Sequence, residues 1–412
     1  MRRLALLVIA CGAFWLAPGA FASGWCGGSD ETAVDRADVV TGRQVHAIVA
    51  IPADGVDKFA ADAARLADDL GSLETWWAGQ DPSRDPRLDD ADLAGGRCVD
   101  ISFVRLLSPS SAYTGASAAF DLIQRELFAA GFTNAYKKYV VYYDGPSVET
   151  DVCGTGGGDF DAGPSFAVVW LAGCPDVPAD SVAAHELLHA LGALPAGAPN
   201  ACAGDAGHPC DSASDILYPF SSGAPLAQLV LDVNHDDYYG HRPGWLDIRS
   251  SPWLHLLDVP PVGLTVAFSG AGTVSSDLPG VSCTATCTTQ WDPGSQVMLA
   301  PDGTATSRFV RWTGGCSGNS ICSVKLDGPV AVSAVFGPLR IPLRITAVGK
   351  GAVRCTPRCG KTFTAGNPLR LKAVAATGWR FSGWTGGCRG ARPTCTPGTD
   401  FALSVRAVFR RR

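Results

Sequence analysis

A chain of 412 residues has room for roughly two to four domains with filled cores, and 46% hydrophobic against 17% charged residues excludes a mainly disordered protein or a simple coiled coil. Beyond the N-terminus no apolar run approaches the roughly 20 residues that span a bilayer, which excludes an integral helical membrane protein. The formal charge of −6 hides a division, since residues 338–412 hold 15 Lys or Arg against one acid, residues 262–336 hold 3 against 4, and residues 1–261 stand at −19. An acidic body thus precedes a basic tail, a polarity that points to an anionic partner for the tail, with a merely solvated basic face as the alternative.

Residues 1–22 read as a secretory signal. Arg2 and Arg3 precede an apolar stretch from Leu4 to Leu16, and Ala20-Phe21-Ala22 offers a small-residue cleavage site before Ser23. Val8-Ile9-Ala10-Cys11 loosely resembles a lipoprotein box, but only about half of the usual apolar stretch precedes the cysteine, so cleavage after Ala22 is expected. Loss of Cys11 leaves 14 cysteines in internally even groups, six from Cys26 to Cys210, four from Cys283 to Cys322 and four from Cys355 to Cys395. In a chain that leaves the reducing cytosol these are expected as disulfides, with Cys26 bridged to Cys98 or another body cysteine rather than poised as an inhibitory thiol on a metal.

Gln44 to Ile51 alternates as a strand, with Val45, Ala47, Val49 and Ile51 on one face. A helix follows, because Val56, Phe59, Ala63, Leu66, Leu70, Leu73 and Trp77 recur at steps of three and four. Further strands are predicted over 99–107, 138–143 and 166–171, with a helix over 118–130 that ends at Gly131. The order βαβαββα makes the body α/β (α+β) with a mixed sheet.

The last of these helices carries an HExxH motif, in Asp180-Ser181-Val182-Ala183-Ala184-His185-Glu186-Leu187-Leu188-His189-Ala190-Leu191-Gly192, with Asp180 predicted to cap it and Gly192 to end it. One turn sets His185 and His189 on the same face, both able to offer nitrogen to one Zn²⁺, with Glu186 beside them as a general base for water. Composition alone produces this pattern about 0.001 times, and a closed structural zinc site takes four protein ligands and has no need of the glutamate.

This segment resembles the zincin metallopeptidases, and more narrowly the metzincin-like group, in which HExxHxxG continues to a third His or Asp and then to a methionine turn. Here Pro195 stands three residues after Gly192, and Met298 is the only methionine beyond Met1, so third ligand and turn both depart from that pattern. Asp215-Ile216-Leu217-Tyr218-Pro219 resembles the turn with Leu217 in the methionine's place, a nearly volume-conserving exchange. The resemblance implies the family's fold with a different third ligand. His208 is the choice, since it lies between the helix ligands and the turn-like segment, flanked by Cys202 and Cys210 whose bridge would fix the loop, and neutral imidazole suits zinc. Asp211, Asp205 and His241 are the alternatives, and His46, His235 and His255 read as bystanders. Asp232-Val233-Asn234-His235-Asp236-Asp237 starts as a calcium loop does, though Asp237 replaces the glycine and Pro243 the closing glutamate, so Ca²⁺ stands as a second candidate ion. Tyr218, Tyr238 and Tyr239 are candidate helpers among which spacing does not choose.

Two C-terminal segments repeat each other. Trp312-Thr313-Gly314-Gly315-Cys316 recurs as Trp384-Thr385-Gly386-Gly387-Cys388, and Cys283 and Cys287 recur as Cys355 and Cys359, at an offset of 72; Cys322 recurs as Cys395 and Val332-Ser333-Ala334-Val335-Phe336 as Val405-Arg406-Ala407-Val408-Phe409, at 73. The retained register predicts local bridges, Cys283 to Cys287, Cys316 to Cys322, Cys355 to Cys359 and Cys388 to Cys395, in small all-β units where histidines for a zinc site are few. With an early Gly-x-Val, paired cysteines, a central W-[TS]-G-x-C and a closing V-x-A-x-F, these segments resemble the divergent internalin-B-type repeats of bacterial surface and secreted proteins, over about 140 residues. The resemblance implies an adhesive or spacer role. Residues 258–262 and 337–342, each containing prolines, are the expected linkers.

The sequence therefore predicts a signal peptide (1–22), a zincin-like metallopeptidase domain with a mixed sheet and active-site helix (23–258), and two small all-β disulfide-bonded repeats (262–336 and 340–412). The function expected is that of a secreted zinc-dependent endopeptidase acting on protein or peptide, with one Zn²⁺ per chain on His185, His189 and His208 and with Glu186 as the catalytic base. The basic repeat would hold an anionic cell-surface polymer, and neither nucleic acid nor a transmembrane segment is expected. The rival is a non-catalytic surface-binding protein whose zinc site is structural.

Overall fold

The computed structural model describes residues 26, 32–93, 96–194, 197–220, 223–242 and 244–412, so the signal segment with Cys11, and also Pro195 and Pro243, lie outside the described residues. The chain is mixed α+β and mainly β, and no described helix is long and apolar enough to cross a membrane.

The body is built on β1 (Gln44–Ile51), α1 (Phe59–Gln80), β2 (Ile101–Arg105), α2 (Ala116–Ala130), β3 (Lys137–Tyr143), β4 (Gly154–Gly157), β5 (Ser165–Trp170) and α3 (Ala179–Ala190). The sheet order is β2-β1-β3-β5-β4, parallel except for β4, which runs antiparallel to β5 at the edge. Helices cover both faces, which is why β1, β3 and β5 are buried along their whole length rather than on alternate residues. Val45, Ala47 and Val49 face α1 and α3, while Ile48 and Ala50 face α2 through Ile123 and Leu127.

Three local expectations need correction. Val56 precedes α1 and is 73% exposed, so the apolar stripe begins at Phe59 and runs on through Trp76 and Trp77. The strand expected over 99–107 is split at Asp100, whose carboxylate receives the Arg36 backbone N–H at 3.0 Å. Asp180 does not cap α3; the cap position is Pro178, and Asp180 lies in the first turn, where its charge favours the helix N-terminus. Gly131 and Gly192 do end their helices in the left-handed region, at φ 104° and 83°.

A buried charge cluster pins the segment preceding β1 to the sheet. Lys137 Nζ reaches Asp35 at 2.6 Å, Asp38 at 2.7 Å and Asp89, and His46 lies between Asp89 at 2.8 Å and the Ser102 hydroxyl at 3.0 Å. Burial alone would lower the lysine's pKa, but Asp89, Asp35 and Asp38 outweigh it and hold the ammonium charged. Lys137→Met would strand these carboxylates, and an expected loss of roughly 3–5 kcal/mol would be read from the urea midpoint. A midpoint shifted by less than a tenth of that loss would show that the cluster is solvated in practice.

The two C-terminal units share one topology. In the first, strands Val262–Ser269 and Val330–Pro338 run parallel at the centre of a four-stranded sheet, and Arg340–Val348 with Leu403–Arg411 do the same in the second. Trp312 and Trp384 are buried at matching places, each indole N–H donating to a carbonyl, Ser320 at 2.8 Å and Arg392 at 2.9 Å. The four bridges Cys283–Cys287, Cys316–Cys322, Cys355–Cys359 and Cys388–Cys395 are present, as are Cys26–Cys98, Cys153–Cys174 and Cys202–Cys210 in the body. Residues 337–342 are not a loose linker: Pro338 ends one strand and Arg340 begins the next, with only Leu339 between them. A proline at a strand end removes no needed donor. The first unit docks on the body through Gly42 N–H to the Pro279 carbonyl at 3.0 Å and Arg87 to Asp292 at 2.9 Å.

Candidate metal centre and catalytic cleft

α3 packs its Ala183, Ala184, Leu187 and Leu188 into the core, which turns His185 toward a cleft of about 570 Å³ that Glu186 also lines, with His189 one turn further along the helix. The hairpin β6 (Ala201–Cys202) and β7 (Asp205–Pro209), closed by Cys202–Cys210, brings His208 to the same point. The Nε2 atoms of His185, His189 and His208 stand 3.2 Å from one another in all three pairings. Nitrogens held 2.0–2.1 Å from a tetrahedral zinc lie about 3.3 Å apart, so this donor set fits zinc. Without a cation between them, three lone pairs at this separation repel.

The remaining ring nitrogens fix which face each imidazole offers. His185 Nδ1–H donates to the Ile216 carbonyl at 2.7 Å, leaving Nε2 as the acceptor, and His208 Nδ1 lies 2.9 Å from an Asp205 carboxylate oxygen. The hydrogen bond to Ile216 orients His185 as outer partners of metal-binding histidines do, whereas the Asp205 contact is close but not aligned as a hydrogen bond. Burial, then the neighbouring His208, pushes His185 down to about 4, and burial with both neighbours holds His189 well below its usual value. Both rings therefore stay neutral.

Leu217 is fully buried, next in the chain to Ile216, whose carbonyl accepts from His185. Asp215 ties that turn down: its carboxylate accepts from Leu217 N–H at 2.8 Å, the Tyr238 hydroxyl at 2.8 Å and Val233 N–H at 2.9 Å. Sequence spacing gave Asp215 no role, because two of its three partners lie 18 and 23 residues downstream, in contacts made only on folding.

Glu186 is 6% exposed, and burial pushes its carboxyl up to about 8 against the Gly156 N–H, which stabilises the charge. Gly154 and Gly156 of the edge strand β4 lie directly on it; a Cβ at Gly154 would sit 2.5 Å from Glu186 Oε1. This strand escaped the sequence reading because Gly154-Thr155-Gly156-Gly157 has no apolar period. Gly154→Ala should displace the carboxylate while leaving the three histidines in place. Since a misplacement of about 1 Å can cost on the order of 100-fold in rate, turnover should fall by about that factor with zinc content unchanged, as measured by peptide hydrolysis beside elemental analysis.

The other predicted positions separate cleanly. Asp205 lies behind His208 rather than among the three nitrogens, and Asp211 gathers instead with Asp236 and Asp237. His241 gives both ring nitrogens to backbone carbonyls, Arg242 at 2.6 Å and Leu246 at 3.0 Å. His235 contacts the Tyr239 carbonyl and His255 pairs with Asp85. In the loop at Asp232 the buried Asp232 carboxylate accepts the backbone N–H groups of Asp236, Asp237, Tyr238 and Tyr239 and so faces its own loop, while Asp236 and Asp237 gather with Asp211 in a group of carboxylates that could hold a cation. Tyr238 and Tyr239 are buried with their hydroxyls on Asp215 and Asp81, whereas Tyr218 lines the cleft beside the 73% exposed Phe220. A second cleft of about 580 Å³ lies between the body and the first β unit, lined by His255 but by none of His185, His189 and His208.

Comparison with curated proteins finds no match. Among solved structures, metalloproteinase-II from Bacteroides fragilis aligns at 14% identity and a TM-score of 0.26, over 50% of this chain and 55% of its own, so the alignment spans about half of that protein. OgpA from Akkermansia muciniphila aligns at 12% identity and a TM-score of 0.29, over 91% of this chain and 98% of its own. A catalytically inactive OgpA in complex with an O-glycopeptide substrate aligns at 13% identity and a TM-score of 0.28, over 93% and 99%. Likeness of this degree leaves function to be argued from the residues themselves. Residues 341–411 match the Divergent InlB B-repeat domain family.

Proposed function

We propose that the protein is a zinc-dependent endopeptidase of zincin type, exported from the cell, whose C-terminal units attach it to an anionic surface. The observation that carries this reading is the set of three imidazole nitrogens 3.2 Å apart with the buried Glu186 beside them in an open cleft. His185, His189 and His208 would hold the ion. Zinc, when bound, supplies Lewis acidity that polarises a carbonyl, makes water a better nucleophile and favours the ionised form of Glu186.

Glu186 removes the proton of the attacking water as its oxygen bonds to the peptide carbon. The same carboxyl then delivers that proton to the departing nitrogen, so the two half-steps balance. The Gly156 N–H and the close approach of β4 hold the carboxylate in one orientation. Tyr218, which lines the same cleft, would be the tyrosine to donate from its wall. The seven disulfides suit an oxidising compartment.

Purified protein lacking residues 1–22 should contain about one zinc per chain and digest an unfolded protein, with digestion lost on chelation and restored by Zn²⁺. Full zinc occupancy with no digestion of any unfolded substrate would favour the rival, a surface-binding protein with a structural zinc.

A further inference from the structure

In both β units a four-stranded sheet is built on two central parallel strands, but the second unit is far more basic than the first. In the second unit, Ile341, Leu343, Val405, Ala407 and Phe409 point into the core, which leaves Arg340, Arg344, Arg406 and Arg410 exposed on the outer face of one four-stranded sheet. Arg380 joins them, directly opposite Arg410, and Arg344 is the diagonal neighbour of Arg406, since Arg344 faces Ser404 and Thr346 faces Arg406. Like charges placed directly opposite one another weaken a strand pair. Among the described residues no ion pair relieves them anywhere in this unit.

The first unit shows that the fold does not require these charges. Its pairing Leu264↔Val330 corresponds to Leu343↔Leu403, and Arg308↔Gly337 corresponds to Arg380↔Arg410. At matching register, Thr265 stands for Arg344, Ser333 for Arg406 and Gly337 for Arg410, and only Arg308 keeps the charge. The same sheet forms either way, so the arginines answer to something outside it.

We propose that this outer face, Arg340, Arg344, Arg380, Arg406 and Arg410, is the docking surface for a linear phosphodiester polymer. The proposal rests on the attachment half of the function given above and names its partner. Of the 15 cations in residues 338–412, 12 are arginine, the side chain whose planar fork matches an oxoanion in two hydrogen bonds. One fork already satisfies the planar pair of oxygens of a carboxylate, whereas a tetrahedral phosphodiester, with two charged and two ester oxygens, can meet the opposed Arg380 and Arg410 forks from two sides. Neighbouring strands lie about 4.8 Å apart and alternate residues about 6.7 Å apart, so the row suits singly charged groups recurring along a chain. Among the described residues, none of the outward positions of these strands holds an aromatic ring, as base stacking by a nucleic acid would use, and the exposed Phe401 precedes the strand.

The test uses the zinc-loaded protein and immobilised poly(glycerol phosphate). The triple variant Arg344→Thr, Arg406→Ser and Arg410→Gly carries the first unit's own residues at those positions and should keep the wild-type melting temperature. At roughly 1 kcal/mol per cation near an anionic surface, its affinity should fall on the order of 100-fold. Arg358→Ser, Arg389→Ser and Arg392→Ser remove the same charge from loops and should cost no more than a few-fold. Molar salt, with a screening length of about 3 Å, should release the wild type. Equal losses from the two triples would overturn the proposal by reducing it to net charge. Equal or tighter retention on polygalacturonate would overturn the phosphodiester assignment, and tighter retention on oligothymidylate, itself a phosphodiester chain, would overturn the choice of a polymer without bases. Casein digestion, followed in the same samples, reports separately on the peptidase: its absence throughout with polymer binding intact would fault that reading and leave the docking face standing.

Discussion

Glu186→Gln is expected to keep zinc at about one per chain while turnover on an unfolded protein falls by a factor of about 10² to 10⁴, the usual worth of a general base. The amide has the carboxylate's shape, so it fits between α3 and β4 without disturbing the three imidazoles. What it loses is the capacity to accept a proton. Because the effect lies on proton transfer, kcat should drop with KM little changed. Activity within a factor of two of wild type, with metal bound, would remove Glu186 from the mechanism.

His208→Ala is expected to have the second large effect, on the metal itself. It opens one corner of a set whose nitrogens are mutually 3.2 Å apart, and the two histidines that remain both come from α3. Zinc affinity should fall by well over the 10- to 100-fold that loss of an outer partner costs, and activity should fall with it. Asp205→Ala, which removes only the carboxylate behind His208, should cost that 10- to 100-fold and no more. Asp211→Ala should leave affinity unchanged, since Asp211 sits with Asp236 and Asp237. Chelator competition on the three variants ranks them directly, and a larger loss for Asp211→Ala than for His208→Ala would move the third ligand.

The edge strand β4 and the Asp215 anchor mark where reading the chain alone stops. A strand of glycine and threonine carries no hydrophobic alternation, and it is recognisable only once β5 offers it an edge and α3 lies across it. His46 reads from the sequence as a bystander and Lys137 lies just outside the strand expected over 138–143, yet both are wholly buried because segments far apart in sequence deliver carboxylates to them. The proline-bearing junction at 337–342 looked like a linker and is strand on both sides, since only the sheet's geometry decides whether a proline's missing N–H matters.

What the sequence determined by itself was whatever local periodicity encodes. The four-residue step of His185 and His189 puts both on one face of any helix that forms there, and the repeated cysteine and tryptophan spacing reveals duplicated β units without reference to a partner. The third imidazole is different in kind. Four residues were open candidates for the third position, and nothing in their spacing ranks a distance across space. Only the closing of the Cys202–Cys210 hairpin against α3 brings His208 Nε2 to 3.2 Å from the other two, turns Asp205 behind it, and leaves Asp211 and His241 with other partners. Contacts between residues adjacent on one helix are set by bond geometry, whereas contacts across loops are set by how the core packs, and this centre combines the two.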